Sequence, residues 1–220
     1  MAFQHVDPLF LVIEKPAGLL AVPGKGADKQ DCVSSRVQAL YPEALVVHRL
    51  DMATSGLMLM ARSRDAQRRL CAHFENRQVH KRYVAVVAGR LELPGGTQGA
   101  PSGWSSIDLP IAVDWPRRPL RIIDREAGKP SLTHWRPEPG PDAQPYKLPT
   151  TRLLLEPLTG RSHQLRVHLQ SIGHPILGDR LYAEPAIAEA AGRLLLHAAS
   201  LGFGHPATGE AVLFTSLPPF

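Results

Sequence analysis

The chain has few cysteines and no long apolar segment. Its 220 residues include two cysteines, Cys32 and Cys71, which lie far apart and form no CxxC pair. This spacing excludes a disulfide framework and a cysteine zinc site, and it is typical of a protein from a reducing cytoplasm. Apolar runs such as residues 9–13 are far shorter than the roughly 18 residues of a membrane span. The N-terminus also lacks the basic and apolar regions of a secretory signal. We therefore expect a cytoplasmic protein without a membrane segment.

Repeats and low-complexity tracts are also lacking. Hydrophobic residues make up 44% and charged residues 20% of the chain, which excludes wholesale disorder. A chain of this length buries enough surface to fold without a metal or disulfide. We expect one domain over residues 1–220.

The positive charge is concentrated in one segment. Lysine and arginine exceed aspartate and glutamate by five over the whole chain. Residues 62–82 hold seven basic and two acidic residues, which equals that entire excess. Such clustering indicates a polyanionic partner, since neutralising phosphates releases condensed counterions. The alternative is a solvated helix face.

Short apolar runs bounded by glycine and proline predict more strands than helices. The expected strands are 9–14, 45–47, 57–61, 79–88, 107–113, 120–124, 132–135, 152–156, 194–203 and 211–215. Because several neighbouring strands lack a helical crossover, antiparallel pairing must be common. The fold class is predicted to be α+β, with a mixed, largely antiparallel sheet flanked by helices.

Three helices are expected from apolar spacing. The first is capped by Asp31 and turns Val33, Val37 and Leu40 inward, and the second is capped by Ser63 and turns Ala66, Leu70 and Phe74 inward. The third covers residues 162–172. Residues 92–106 and the proline-rich stretch 137–149 are predicted as loops.

Two charged residues are candidates for chemistry. Asp51 precedes Thr-Ser-Gly, a pattern typical of an Asx turn or cap, but it also places a carboxylate on a loop between two buried strands. Arg166 lies at the edge of the apolar face formed by Leu165 and Leu169. An arginine there requires an anionic partner, which is a structural carboxylate, a phosphate or a catalytic acid.

Metal and nucleotide sites are not favoured. His163 and His168 are five residues apart and do not share a helix face as zinc ligands do, so we expect them to bond backbone or phosphate. The Gly24-Lys25-Gly26 segment lacks the trailing Lys-Ser/Thr of a phosphate-binding loop. Tyr83 lies in a predicted strand, where a tyrosine is usually core, yet beside so many cations it suits stacking on a base.

Several motifs together resemble the RluA-type pseudouridine synthases. They are LVIEKPAGLLAVP at 11–23, HRLD at 48–51 with TSGL at 54–57, KRY at 81–83, GRSHQLR at 160–166 and HPILGD at 174–179. The motifs stand in the family's order and spacing from about residue 9 to 203, without a preceding S4 RNA-binding domain. The compact length and the DWPRRP segment at 114–119 resemble the family's dual-specificity members, which modify 23S ribosomal RNA and a tRNA anticodon stem-loop.

The resemblance implies the reaction and its residues. A uridine in RNA is isomerised to pseudouridine by breaking the N-glycosidic bond, turning the uracil and rejoining it through C5. Asp51 is then the nucleophile, Arg166 pairs with it and favours its ionised form, Tyr83 stacks on the target base, and Leu165 walls the pocket. The target base must be extruded from its stem or loop. No cofactor or metal is implied.

The expected partner is RNA, namely 23S ribosomal RNA, tRNA or both, bound by a monomer without a nucleotide cofactor. Arg49 resembles the family's arginine that fills the place vacated in the RNA. The residues assigned to RNA contact are Arg49, Arg62, Arg64, Lys81, Arg82, Arg117, Arg118, Arg161 and His163. The alternatives are a non-catalytic RNA-binding module of this fold and a metal-dependent hydrolase built on histidines.

Overall fold

The structure is a computed structural model that describes residues 1–93, 100–139 and 146–220. The chain divides into two compact units, Met1–Lys81 with His197–Phe220, and Arg82–Leu196. Within the described residues, no helix is both long enough and apolar enough to cross a membrane.

The described part of the chain contains short strands and mostly short helices. The strands are β1 (Ala2–Val6), β2 (Phe10–Lys15), β3 (Leu45–Val46), β4 (Ser55–Ala61), β5 (His80–Ala88), β6 (Ser105–Asp108), β7 (Ile111–Val113), β8 (Arg121–Ile123), β9 (Leu132–Pro137), β10 (Thr150–Pro157), β11 (Leu196–Gly204) and β12 (Ala211–Thr215). The helices are α1 (Val33–Gln38), α2 (Arg64–Glu75), α3 (Gln164–Ser171) and α4 (Pro185–Ala188).

Strand β4 is the centre of the first unit. It pairs antiparallel with β2, from Phe10 opposite Ala61 to Lys15 opposite Gly56, and it also pairs with β3. At its start it runs parallel to β11, which in turn pairs with β12, while β1 pairs with the far side of β2. Every residue of β4 is buried, which explains why its sequence is a continuous apolar run rather than an alternating one.

Helix α2 confirms the predicted amphipathic segment. The Ser63 hydroxyl accepts a hydrogen bond from Ala66 N–H at 3.1 Å and so caps the helix. Ala66 and Leu70 are buried in a core cluster with residues of β2 and β4, and Phe74 packs against that cluster. The arginines of the helix consequently face solvent.

Helix α1 corrects two details of the prediction. Its N-cap is Cys32 rather than Asp31: the Cys32 sulfur accepts from Ser35 N–H, and the Ser35 hydroxyl accepts from Cys32 N–H. Asp31 instead forms two hydrogen bonds with Arg36, at 2.6 and 2.7 Å. The helix ends at Gln38, so Leu40 lies beyond it and is exposed rather than inward.

The second unit is built on four antiparallel strands in the order β5, β10, β9, β6. Tyr83 lies opposite Leu155, which lies opposite Trp135, which lies opposite Ser105. Side chains opposite one another share a face, so these residues form one row across the sheet. Strands β7 and β8 form a separate two-stranded hairpin.

The predicted strand 107–113 was wrong as a single element. It divides into β6 and β7 at Pro110, which lacks the N–H needed to continue a ladder. The predicted loop 92–106 also ends earlier, because β6 begins at Ser105. Its residues 94–99, and residues 140–145 of the proline-rich stretch, lie outside the described residues.

Helix α3 begins at Gln164, later than predicted, because His163 has the left-handed φ of 58° and ends the preceding turn. All residues from Gln164 to Leu169 are buried, which includes the predicted inward positions Leu165 and Leu169. The short strand β1 and helix α4 were not predicted. Strand β4 pairs in parallel with β11, whereas the pairs β2–β4, β5–β10 and β9–β10 are antiparallel, so the α+β fold class with a mixed sheet is confirmed.

Candidate active site

Asp51 lies on an irregular loop directly before β4 in the first unit. The side chain is half-buried, and its backbone carbonyl accepts from Thr54 N–H at 3.1 Å in a tight turn. The next residue, Met52, uses its carbonyl oxygen to accept from Gly18 N–H at 2.8 Å. The loop is therefore anchored on the KPAGL segment that follows β2.

A buried lysine strengthens this anchor. Lys15 is fully buried, and its Nζ donates to the carbonyl oxygens of Pro16 at 3.0 Å, Leu19 at 2.6 Å and Met52 at 2.9 Å. One ammonium group therefore fixes both the segment after β2 and the residue next to Asp51. This role was not predicted, although a lysine that ends an apolar strand just before Pro-Ala-Gly is a sequence signal for it.

The other end of the Asp51 loop is fixed by a buried hydrogen-bond chain. The Ser55 hydroxyl lies 2.8 Å from His197 Nδ1, and His197 Nε2 lies 2.8 Å from the Ser216 hydroxyl, which donates to the Glu14 carboxylate. Gly56 follows with a φ of 107°, and a Cβ there would lie 2.3 Å from the carbonyl oxygen of Ala198. Glycine is required at that position by the close approach of β11.

His48 supports the start of the loop as a neutral imidazole. Its ring stacks on Phe74 with 4.6 Å between centroids, and its Nε2 accepts from Leu59 N–H at 2.9 Å. Burial, with a smaller contribution from the Lys81 charge, lowers the pKa of His48 to about 3. The adjacent Arg49 is exposed, as is Met52.

Arg166 of the second unit is held by a buried carboxylate. Its Nε donates to Asp179 Oδ2 at 2.8 Å and its Nη2 to Asp179 Oδ1 at 2.5 Å. The two side chains are 5% and 0% exposed. The Asp179 carboxylate is therefore one anionic partner of Arg166, and this pairing was not predicted.

Asp179 also organises the residues that follow it. Its Oδ1 accepts from the backbone N–H groups of Leu181 at 3.0 Å and Tyr182 at 3.2 Å. The Tyr182 ring in turn lies against Arg166, with 5.0 Å from the guanidinium carbon to the ring centroid. Asp179, the last residue of the HPILGD motif, thus holds both Arg166 and the turn that follows the motif.

Tyr83 and Leu165 also belong to the second unit. Tyr83 is half-buried on β5, and Leu165 is 6% exposed on α3.

The two histidines of the GRSHQLR segment and α3 bond to protein groups. His168 Nδ1 lies 2.9 Å from the Thr133 hydroxyl, and its Nε2 lies 2.9 Å from the backbone carbonyl oxygen of Leu109. His163 Nδ1 lies 2.6 Å from the Tyr182 hydroxyl. Within the described residues, no three His, Cys, Asp or Glu side chains gather as metal ligands.

The basic residues assigned to RNA contact differ in their surroundings. Arg62 binds Glu43 at 2.8 Å and is mostly buried, whereas Arg64 is exposed on α2. Arg82 is exposed and binds Glu156 at 3.2 Å. Burial lowers the pKa of Lys81. Arg161 is exposed, and its backbone N–H donates to Gln164 Oε1. Arg117 forms an ion pair with Asp114, and Arg118 stacks on the Trp115 ring.

Comparison with known proteins identifies the family. Residues 9–171 match the RNA pseudouridylate synthase family. The chain belongs to that family. It is 44% identical over 221 residues to the dual-specificity RNA pseudouridine synthase RluA of Escherichia coli strain K12, covering 100% of this chain and 94% of that protein. It is also 44% identical over 216 residues to the protein of the same name from Pasteurella multocida, covering 98% and 92%.

Solved structures of pseudouridylate synthases share the fold. Human RNA pseudouridylate synthase domain containing 1 matches with a TM-score of 0.76 and 27% identity, covering 100% of this chain and 84% of that one. Human RNA pseudouridylate synthase domain containing 4 matches with a TM-score of 0.72 and 24% identity, covering 99% and 88%. The chain is thus an RNA pseudouridine synthase, an isomerase that converts uridine in RNA to pseudouridine. The resemblance drawn from the sequence motifs is confirmed.

Proposed function

We propose that Asp51 is the nucleophile of this pseudouridine synthase and that Arg166 pairs with it. The observation that carries the proposal is the buried, two-point attachment of Arg166 to Asp179, which holds a guanidinium in one orientation. The Tyr182 ring lies against the same guanidinium, 5.0 Å from its carbon to the ring centroid, and further restricts its orientation. Arg166 therefore presents a fixed positive charge for the Asp51 carboxylate.

Asp51 begins the reaction in one of two ways. Either its carboxylate attacks C1′ of the ribose and displaces uracil, or it removes a sugar proton as uracil leaves, which gives a glycal. In both routes the uracil then turns. In the first route C5 bonds to C1′ and displaces the Asp51 carboxylate, and in the second C5 bonds to C1′ of the glycal while the sugar carbon regains its proton from Asp51. In both routes the C5 hydrogen leaves as a proton, and N1 takes up a proton. The steps are redox-neutral, and we propose that no cofactor or metal takes part.

Tyr83 and Leu165 form the two walls of the uracil site in this proposal. A tyrosine ring stacks on any base, whereas a leucine offers an apolar contact without a hydrogen bond that would hold the uracil in one orientation. The uracil must turn after its glycosidic bond breaks, so walls without directional bonds suit the reaction.

The proposed substrates are 23S ribosomal RNA and a tRNA anticodon stem-loop, since the relatives with 44% identity are named as dual-specificity enzymes. The proposed RNA contacts are those assigned from the sequence: Arg49 in the place vacated by the uridine, and Arg62, Arg64, Lys81, Arg82, Arg117, Arg118, Arg161 and His163 on the backbone. We propose that residues 1–220 act as one catalytic domain, as a monomer, in the cytoplasm of a bacterium.

The test is release of tritium from RNA labelled at uridine C5, because the new carbon–carbon bond must expel that hydrogen. Transcripts of 23S ribosomal RNA and of tRNA are offered separately. Release from both, absent in Asp51→Asn, supports the proposal, and release from one narrows the substrate. An Asp51→Asn enzyme with wild-type turnover would remove Asp51 as the nucleophile. Tight binding with no release by the wild type would favour an RNA-binding module.

Tyr83 is tested with two variants. Tyr83→Phe keeps the ring and is expected to lose only the contribution of the hydroxyl group. Tyr83→Ala is expected to lose base stacking of about 1–3 kcal/mol. Equal tritium release by the wild type and both variants would exclude Tyr83 from the uracil site.

A further inference from the structure

Trp115 is an exposed aromatic residue on the loop between β7 and β8. Its side chain is 67% exposed, and among the described residues no other Phe, Tyr or Trp is as open to solvent. Large aromatic side chains normally bury most of their surface in a core or an interface. The position of Trp115 therefore indicates contact with a partner rather than a role in folding.

Arg118 covers one face of this indole. Its guanidinium carbon lies 3.5 Å from the centroid of the Trp115 ring, which is the distance of a stacked planar pair. The exposure of Trp115 then comes from its remaining surface. A flat ring backed by a flat cation is a surface suited to an unpaired nucleic-acid base and its phosphate.

The loop is rigid around Trp115. The buried Asp114 carboxylate accepts from Arg117 N–H at 3.2 Å and from Arg117 Nε at 2.7 Å. Leu120 N–H donates to the Arg117 carbonyl at 3.0 Å, and Asp114 N–H donates to the Leu120 carbonyl at 3.1 Å. Because the turn is closed before any ligand arrives, presenting Trp115 requires little ordering on binding.

The same loop is hydrogen-bonded to Tyr182, one of the residues that hold Arg166. Arg121, the first residue of β8, donates its backbone N–H to the Tyr182 hydroxyl at 2.9 Å. Tyr182 packs against Arg166 and is bound through its own N–H to Asp179. Within this unit, the Trp115 loop therefore keeps a fixed position relative to Arg166.

We propose that Trp115, backed by Arg118, is a stacking platform for an unpaired base of the RNA substrate, separate from the uridine that reacts. The inference rests on RNA being the substrate. The segment that carries Trp115 is basic, with Arg117, Arg118 and Arg121 within six residues of it along the chain, which favours a polyanion over a protein partner. Stacking is tolerant of base identity, so this site recognises an unstacked nucleotide and not a sequence.

The experiment measures Kd for three RNAs: a tRNA anticodon stem-loop transcript, a 23S fragment and a single-stranded RNA of mixed sequence. Trp115→Ala is expected to raise Kd by roughly 5- to 150-fold, and Trp115→Phe by less, because the smaller ring still stacks. KM should rise with kcat unchanged, since the interaction is equal in ground and transition states. Leu213→Ala is the matched control, because Leu213 is also 67% exposed and should leave Kd unchanged.

Salt dependence distinguishes stacking from a lost phosphate contact. Trp115→Ala should leave the slope of log Kd against log salt at the wild-type value, whereas loss of a phosphate contact reduces the slope by about one. Unchanged Kd in Trp115→Ala for an RNA that the wild type binds overturns the proposal, and so does an equal loss in Leu213→Ala. Tritium release by the wild type on the same transcripts tests the reaction independently. If neither transcript binds, the proposed substrates are wrong, and the single-stranded RNA still tests Trp115.

Discussion

Asp179→Asn is the most direct test of how Arg166 is positioned. The substituted side chain keeps one oxygen for the backbone N–H groups of Leu181 and Tyr182. It then turns an NH₂ group toward Arg166 Nε, which now donates to Oδ2 at 2.8 Å. A charge-assisted hydrogen bond is replaced by two opposed donors, and the buried guanidinium loses the negative charge of Asp179. Breaking a buried ion pair in this way costs about 3–5 kcal/mol.

That loss is a large share of the stability of an ordinary domain, which is about 5–15 kcal/mol. Urea unfolding followed by circular dichroism measures it. Because the variant also releases Arg166 from its fixed orientation, kcat in the tritium assay should fall on the order of 10²-fold. KM should change less, since RNA affinity depends mainly on phosphate contacts elsewhere.

Asp65→Asn is the matched control. Asp65, like Asp179, forms ion pairs with arginine, at 3.2 Å to Arg68 and 2.9 Å to Arg69, but its side chain is 59% exposed. Exposed pairs contribute within about 1 kcal/mol, so this variant should unfold almost as the wild type does and keep its kcat. If Asp179→Asn behaved like Asp65→Asn in both measurements, Asp179 would not be the anchor of Arg166.

Three other substitutions test the first unit. Lys15→Met leaves buried carbonyl oxygens without a donor and should cost about 3 kcal/mol or more in urea unfolding, whereas the exposed Lys25→Met should cost almost nothing. The pKa of His48 is about 3 in the folded chain and 6.5 in the unfolded chain. The stability that neutral His48 contributes is therefore complete above pH 6.5 and is lost as the pH falls toward 3. His48→Gln should therefore spare about 2 kcal/mol of the wild-type loss of unfolding free energy between pH 7 and 5, and an unchanged loss would contradict a neutral imidazole. Gly56→Ala should destabilise by about 2 kcal/mol or more in the same assay, whereas Gly160→Ala, which meets no atom within 4 Å, should not.

Local sequence patterns predicted the elements whose buried face can be recognised from their own residues. The apolar runs of β2 and β4 and the spacing of α2 after Ser63 were visible because each encodes its own buried face. Strand β1 was not, since nearly all of its residues are exposed and it depends on pairing with β2. The cap of α1 fell on Cys32 because a thiol there meets Ser35, a contact that the preference for aspartate at caps does not anticipate.

The candidate site shows the same division. The sequence motifs predict Asp51, Tyr83 and Arg166 as site residues, because their neighbours are characteristic of the family. The supports of these residues were not predicted. The Arg166 partner is 13 residues away along the chain, and the carbonyl of Met52 that Lys15 binds is 37 residues away. Local periodicity carries no information on which buried polar groups meet at such separations.

Lys15 and Asp179 each stabilise an irregular segment by hydrogen bonds to its backbone, and they do so with opposite charges. Asp51 and Asp179 lie on irregular segments, and the backbone polar groups of such segments have no helix or strand hydrogen bonds to satisfy them. In the first unit the Lys15 ammonium, a pure donor, collects carbonyl oxygens beside Asp51. In the second unit the Asp179 carboxylate, a pure acceptor, collects backbone N–H groups and the Arg166 guanidinium. Lys15 and Asp179 each order a turn and a neighbouring charged residue, so we expect a substitution at either one to lower the stability of its unit and also the rate of the reaction proposed for Asp51 and Arg166.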